Sequence, residues 1–345
     1  MKNQKNFMLQ AVLKTLLIPA LVFVVMNIAD IAFGPNHDAL ISSDVDIIAF
    51  MRNLIIYFAF ALALHINMTM GRMDLSLGAQ MFLGVIFGGN LALQFNLGGI
   101  GVIVLSMIIG ALAGAVSGLL FVKMRILPMV LGLGMTLVYE CFSYLAYNAA
   151  GITLFGKPGT DILGEIWFIA LVVIVLVLVS TYILQMSMFG YKRRACQGGQ
   201  RLAHDAGINI FSNCVGCYAI CGALVALAGV FTTSYQGALI PTIGMSSNGR
   251  VFSNMFPMIL GGWIGSFSGN ATIGTLSASI SVYLLKAGLA KLGFDELSSA
   301  IVVYGAWLLF MIVQAQLPKL AYRKAFKARK ALALKTRAEL GKVKA

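Results

Sequence analysis

The sequence predicts an all-α, polytopic membrane helical bundle with about ten transmembrane spans. Three observations lead there. Hydrophobic residues make up 59% of the 345 positions and charged ones only 11%, whereas soluble domains run at about 45–50% and 25%. Apolar runs of about 20 residues, long enough to cross a ~30 Å hydrocarbon core as helices, recur along the chain. The basic residues, finally, collect on alternate connections between those runs.

The spans fall near residues 11–33, 48–70, 75–93, 99–122, 128–149, 165–187, 211–234, 251–270, 272–292 and 299–318. The first comes after a basic start, as in a signal peptide. Its apolar stretch from Leu16 to Phe33 is longer than the usual ~7–15-residue signal core and lacks a small-x-small cleavage site, so it reads as an uncleaved span. The third and eighth are short, polar and glycine-containing, which makes them the candidates for broken or re-entrant helices lining a cavity. In the fourth, Gly110, Gly114 and Gly118 stand four residues apart and let another helix backbone come close. Ten spans put both termini on one side.

Charge tests this layout. With the N-terminus in the cytoplasm, the inner segments hold Lys2, Lys5, Lys14, Arg72, Lys123, Arg125, Lys192, Arg193, Arg194, Arg201 and ten more basic residues after 318, which is 20 of the 25. Only Arg52, Lys157, Arg250, Lys286 and Lys291 remain for outer or membrane positions, as the positive-inside rule requires. The acids Asp30, Asp38, Asp44, Asp46, Asp161, Glu165, Asp295 and Glu296 lie at or near outer ends. The net charge of +13 comes mostly from the run after the last span, so its expected partner is the anionic membrane lipid headgroup and not nucleic acid. Leu320, Phe326, Ala331 and Leu334 interrupt that run as in an amphipathic interfacial helix. Residues 1–318 thus form a transmembrane domain and 319–345 a basic cytoplasmic tail.

Several patterns imitate chemistry without completing it. Cys214, Cys217 and Cys221 share a helix face, but a zinc site needs about four ligands and only His204 is near in sequence. No metal site is expected. Residues 151–158, GITLFGKP, copy a phosphate-binding loop up to Lys157, and then Pro158 stands where a hydroxyl should bind magnesium. No HExxH, GxSxG or paired-carboxylate arrangement appears. An enzyme, and a nucleotide site in this chain, are therefore not expected.

Polar groups inside spans carry more information, because an ionisable side chain there costs about 2.5–3.5 kcal/mol on insertion scales. Glu140, near the middle of span five, is the clearest, and Lys286 in span nine is its expected partner. Two readings stay open: a substrate or gating contact, and a structural role as an ion pair between helices or a solvated cavity wall. His65, Asn67, Thr69, Gln80, Asn90 and Asn148 mark spans two, three and five as the polar pathway, although each could equally join helices.

The longest inner connection, 188–210, has a basic start, a glycine pair and a helix-compatible stretch from Gln200 to Ala206 ended by Gly207. A short helix held there by two spans is a lever for a cytoplasmic partner.

Four ordered blocks carry a resemblance to a known family. Gly71, Asp74, Leu75, Ser76 and Gly78 read as G-x-x-D-L-S-x-G after span two, and Arg125, Ile126, Pro128, Leu133, Gly134 and Met135 open span five. Leu260, Gly261, Gly262, Ser266, Gly274 and Thr275 run through spans eight and nine, and Phe189, Gly190, Ala203, Gly207 and Ile208 mark the inner loop. Over about residues 50–318 the chain resembles the permeases of bacterial ATP-binding-cassette importers for ribose, xylose and galactosides, which are similar to branched-chain amino acid permeases. It departs from them at Arg201, where Glu is usual, at Gln197, Gly198 and Gly199, where the Gly-Gly-Asn is displaced, and at Trp263, Phe267 and Gly269, which replace Thr, Gly and Arg.

The resemblance implies a permease subunit that moves a small polar solute, a monosaccharide by expectation, through alternating access. The implied partners are a cytoplasmic ATP-binding-cassette ATPase, which would hold the ATP and magnesium, an extracytoplasmic solute-binding protein, and a second permease subunit, identical or similar. No cofactor is expected in this chain. The implied place is the bacterial plasma membrane with both termini cytoplasmic. ATPase coupling would fall to Gly190, Gln200, Arg201, Leu202, Ala203, His204, Asp205, Ala206, Gly207 and Ile208. The solute path would draw on His65, Asn67, Asp74, Ser76, Gln80, Glu140 and Asn148, with Asp74 open to a second reading as the cap of span three. Rival readings are import of branched-chain amino acids or nucleosides by the same architecture, an ion-coupled secondary transporter, and, more remotely, a membrane enzyme.

Overall fold

The computed structural model describes residues 2–35 and 39–343, and at 2–12, at 14 and at most positions beyond 319 it describes the backbone alone. His37 and Asp38, together with the side chains of Lys2, Lys5, Lys14, Leu320, Ala331 and Leu334, lie outside the described residues and side chains. The chain divides into two units, Met1–Gly293 and Phe294–Ala345.

The first unit is helical: α1 (Lys2–Phe33), α2 (Asp44–Met68), α3 (Leu77–Gln94), α4 (Gly98–Met124), α5 (Pro128–Leu145), α6 (Ile166–Thr181), α7 (Met188–Gly198), α8 (Gln200–Asp205), α9 (Ile210–Gln236), α10 (Asn248–Ser268) and α11 (Ala271–Lys291). A π-helical turn, Tyr182–Met186, extends α6. Local chemistry sets many boundaries. Ser43 and Asp46 form a reciprocal capping box at the start of α2. Pro128, with no N–H to leave unpaired, opens α5. Asn209 and Asn270 cap α9 and α11 through their side-chain oxygens.

Among the described residues, nine helices are long and apolar enough to cross a membrane. The sequence predicts about ten. The eighth predicted span does form a helix, α10, which is not among the nine. The buried share of each span orders the bundle: 72% for α9 and 67% for α3, against 22% for α6. α9 and α3 are therefore core helices, while α6 turns most of its surface to the surroundings.

Glycine lets the core close. On α4, Gly110 faces the backbone of Gly222 on α9 and Gly114 faces that of Tyr218, so a Cβ at either position would collide with the facing main chain. This is the close packing expected of residues 110, 114 and 118, with α9 as the partner. α10 and α11 form a hairpin in which Gly261 lies on Thr275 and Gly265 on Ala271. On the connection between α5 and α6, strand β1 (Ile152–Thr153) pairs antiparallel with β2 (Ala238–Leu239), which comes after α9.

The second unit is one helix, α12 (Glu296–Val343), of 48 residues. It carries the tenth predicted span and the basic tail without a break, with Pro318 inside it.

Candidate functional site

Two stretches of the first unit leave helical geometry between buried helices. One, 69–76, joins α2 to α3; the other, 240–247, runs from β2 into α10. The second stretch reaches the first turn of α3, just beyond the first stretch, where a Cβ on Gly78 would strike the carbonyl of Ser247. Non-helical backbone in such a protein must be buried or line a water-filled cavity.

The first stretch turns at Gly71, whose φ of +70° is left-handed. The Asp74 carboxylate then organises the entrance to α3. Its Oδ1 accepts the Ser76 N–H at 2.9 Å and the Ser76 hydroxyl at 2.6 Å, and its Oδ2 accepts Gln80 Nε2 at 3.2 Å. Gln80 Nε2 also donates to Ser76 Oγ at 2.7 Å. All three residues are buried. Asp74 thereby satisfies an amide where α3 begins, a task Ser76 does not perform with its own side chain.

α5 supplies the wall that both stretches lean on. Gly132, Thr136 and Glu140 are four residues apart and lie on one face of the helix. Gly132 admits the backbone of Leu75 and the carboxylate of Asp74. The Thr136 hydroxyl reaches Gly132 O at 2.8 Å, Leu75 O at 3.2 Å and Asn248 Oδ1 at 3.4 Å, and so bridges the first stretch and the start of α10. Glu140, 1% exposed, accepts Met245 N–H on Oε2 at 2.8 Å and Ser247 N–H on Oε1 at 2.9 Å. Both oxygens of this carboxylate are thus spent on the main chain of the second stretch, where Gly244 and Met245 have φ of +76° and +64°. Charge-assisted bonds of this kind are roughly twice as strong as neutral ones.

Against the start of the first stretch, α7 and α8 form a helical hairpin. Ser187 caps α7 by accepting Gly190 N–H. Gly207, φ +77°, ends α8. Ala203 is the buried anchor of α8, while Gln200, Arg201, Leu202, His204, Asp205, Ala206 and Gly207 are exposed or nearly so and Ile208 is half-buried. Leu202 is 73% exposed, a large apolar side chain at the centre of an otherwise polar surface. On the opposite side Arg193 is buried and donates from Nη1 to Thr69 Oγ1 at 2.9 Å. Burial pushes its guanidinium down from the ordinary value, and the nearby Cys217 and Cys221 oppose that shift.

Residues 47–312, well over half of the chain, match the family described as branched-chain amino acid transport system / permease component. The chain belongs to that family. Among curated relatives, this family member is 25% identical over 235 residues to the fructose import permease protein of Rhizobium meliloti, covering 64% of each chain. It is 23% identical over 253 residues to the ribose import permease protein of Escherichia coli, covering 70% of this chain and 76% of the relative. It is 26% identical over 270 residues to the autoinducer 2 import system permease protein of Yersinia pseudotuberculosis, covering 73% and 78%.

Of the polar residues singled out in this permease's sequence, the structure brings Asp74, Ser76, Gln80 and Glu140 to the junction of the two stretches. His65 packs against Gly262 of α10. Asn67, at the end of α2, is 1% exposed, and neither polar atom of its side chain has a hydrogen-bond partner among the described residues. Asn148 is not part of the cluster: α5 ends at Leu145, and Tyr147, Asn148 and Ala149 turn through positive φ, leaving Asn148 exposed. Lys286 is not the partner of Glu140. It donates to the Tyr57 hydroxyl at 3.0 Å and stands 5.0 Å from the centre of that ring, because the donors that reach Glu140 come from 240–247. Cys214, Cys217 and Cys221 are buried; the Cys217 thiol lies on Met70 Sδ and the Cys221 thiol on Ala63 O. Sequence reasoning missed Thr136, Ser247 and Asn248. The four-residue spacing of Gly132, Thr136 and Glu140 was the available signal for the first.

Proposed function

We propose that this permease is the membrane-spanning subunit of an ATP-binding-cassette importer for a monosaccharide, working by alternating access with a separate ATPase. The exposed α8 surface, held between two spans by the buried Ala203, is the observation that carries the coupling half of this reading. It offers a partner one apolar side chain, Leu202, ringed by polar groups, the apolar-centre and polar-rim pattern of a protein interface. The names of the fructose and ribose import relatives support the solute class. An extracytoplasmic binding protein and a second permease subunit complete the assembly. The basic residues, 20 of 25 in inner segments, support placement in the bacterial plasma membrane with both termini cytoplasmic.

The solute path passes the junction of 69–76 and 240–247. Irregular backbone at membrane depth is tolerated where protein buries it or where it lines a cavity, and Asp74, Ser76, Gln80 and Glu140 hold that backbone in place. The test is reconstitution in proteoliposomes with the ATPase and a panel of loaded binding proteins, using ribose, fructose, autoinducer 2, a branched-chain amino acid and a nucleoside as solutes. Uptake of a sugar that requires ATP is expected. Uptake by the permease alone, driven by a proton or sodium gradient, would replace this reading with a secondary transporter.

A further inference from the structure

The α7–α8 hairpin is wired to the membrane helices by two adjacent arginines that point to different elements. Arg193 reaches Thr69, the residue at which α2 ends and the 69–76 stretch begins. Thr69 in turn donates its hydroxyl to His65 O at 2.8 Å, so it can accept from Arg193 while capping its own helix. Arg193 is 3% exposed, has no carboxylate partner among the described residues, and its Nε has no acceptor there. Such a site spends a buried cation on one hydroxyl.

Arg194 reaches the end of α6. Its Nη1 donates to Gln185 Oε1 at 3.0 Å and its Nη2 to Gln185 O at 2.7 Å, while its guanidinium carbon lies 4.7 Å from the Tyr191 ring centre. The cation sits at a helix C-terminus, where the dipole favours it. Gln185 Nε2 continues the path to Asn270 Oδ1 at 3.3 Å, the same oxygen that accepts Thr272 N–H and Ile273 N–H at the start of α11. Gly190 lets α7 lie directly on the π-helical turn, against Leu184 O.

We propose that Arg193 and Arg194 are positioning residues that carry movement of the α7–α8 hairpin to separate membrane elements: Arg193 to the 69–76 stretch through Thr69, and Arg194 to α6 and α11 through Gln185 and Asn270. The proposal rests on the coupling role given to this hairpin above. A rigid, planar guanidinium transmits direction as well as force, which a flexible ammonium does not.

Two measurements test it. In proteoliposomes containing the ATPase and the loaded binding protein, Thr69→Val and Arg193→Met should retain ATPase association and hydrolysis yet lower solute uptake per ATP about tenfold. Thr69→Ser, which keeps the hydroxyl, should transport normally, and the double variant Thr69→Val/Arg193→Met should be no worse than either alone. In the full chain by itself, in lipid nanodiscs, hydrogen exchange should rise in 69–76 for Arg193→Met and in 182–186 and 270–273 for Arg194→Met. Unchanged uptake per ATP in Thr69→Val, or exchange that rises equally in both regions for either arginine variant, overturns the proposal. If wild-type protein shows no ATP-driven uptake while the exchange pattern holds, the importer reading fails and the wiring stands.

Discussion

Glu140 and Ser247 are 107 residues apart in the chain, yet the carboxylate of the first accepts the main-chain N–H of the second at 2.9 Å. The other oxygen takes Met245 N–H. The carboxylate therefore acts as a fixed acceptor for backbone that has no helix to satisfy it. Glu140→Gln replaces one acceptor by a donor facing an N–H, and Glu140→Ala leaves two N–H groups unpaired. At about 1–3 kcal/mol per orphaned group, the melting temperature of the purified protein should fall in the order wild type, Gln, Ala, as followed by tryptophan fluorescence. Equal melting temperatures would show that 240–247 does not depend on this carboxylate.

Asp74 should behave differently. Gln80 Oε1 has no partner among the described residues, so the Gln80 amide can turn over and accept both from an introduced amide at position 74 and from the Ser76 hydroxyl, giving up its own donation to Ser76 Oγ. Asp74→Asn is accordingly expected to fold at close to wild-type stability, within about 1 kcal/mol. Asp74→Ala, which removes the carboxylate acceptor from Ser76 and Gln80, should cost about 2–4 kcal/mol. A thermal-shift comparison decides, and an Asn variant as damaged as the Ala variant would count against the exchange of amide orientation.

The contact of Gly110 with Gly222 predicts a coupled pair. Alanine at either position should destabilise by about 1–3 kcal/mol through overpacking, because each Cβ meets the other helix's main chain. The two substitutions share one gap, so the double variant should lose less than the sum. Additive losses in a double-variant cycle would mean that the helices relax independently at the two positions.

Leu202 is the test of the docking surface. Leu202→Asp should reduce co-purification with the ATPase by more than about tenfold, the scale of a lost apolar anchor, while leaving the permease folded, since the side chain is 73% exposed. Leu202→Met should retain binding. Undiminished capture of the ATPase by the aspartate variant would move the interface off α8.

Much of this arrangement is legible in the residues alone. Span length and hydropathy place α3 within two residues of its ends and locate the 200–207 element of the hairpin, because these depend on local pattern and on Gly207. The Gly110–Gly118 repeat announces close packing but not its partner, since a small-residue stripe says only that something approaches. Glu140 is visible as an expensive charge, yet Lys286 is the wrong partner for it. Side-chain pairing rules match acids with bases, whereas Glu140 meets main-chain N–H groups, which every residue but proline carries and no sequence pattern marks. Asn148 misleads for a related reason: the predicted span runs on past Leu145, while the helix does not.

The separation between Glu140 and its donors also has a meaning in time. A chain made at about 5–20 residues per second presents Met245, 105 residues later, some ~5–20 s after Glu140. Throughout that interval α5 is in the membrane, or waiting beside it, with a carboxylate whose final donors do not yet exist. From the birth of its fifth helix to that of its tenth, the nascent chain therefore carries this carboxylate without the main-chain donors that finally satisfy it.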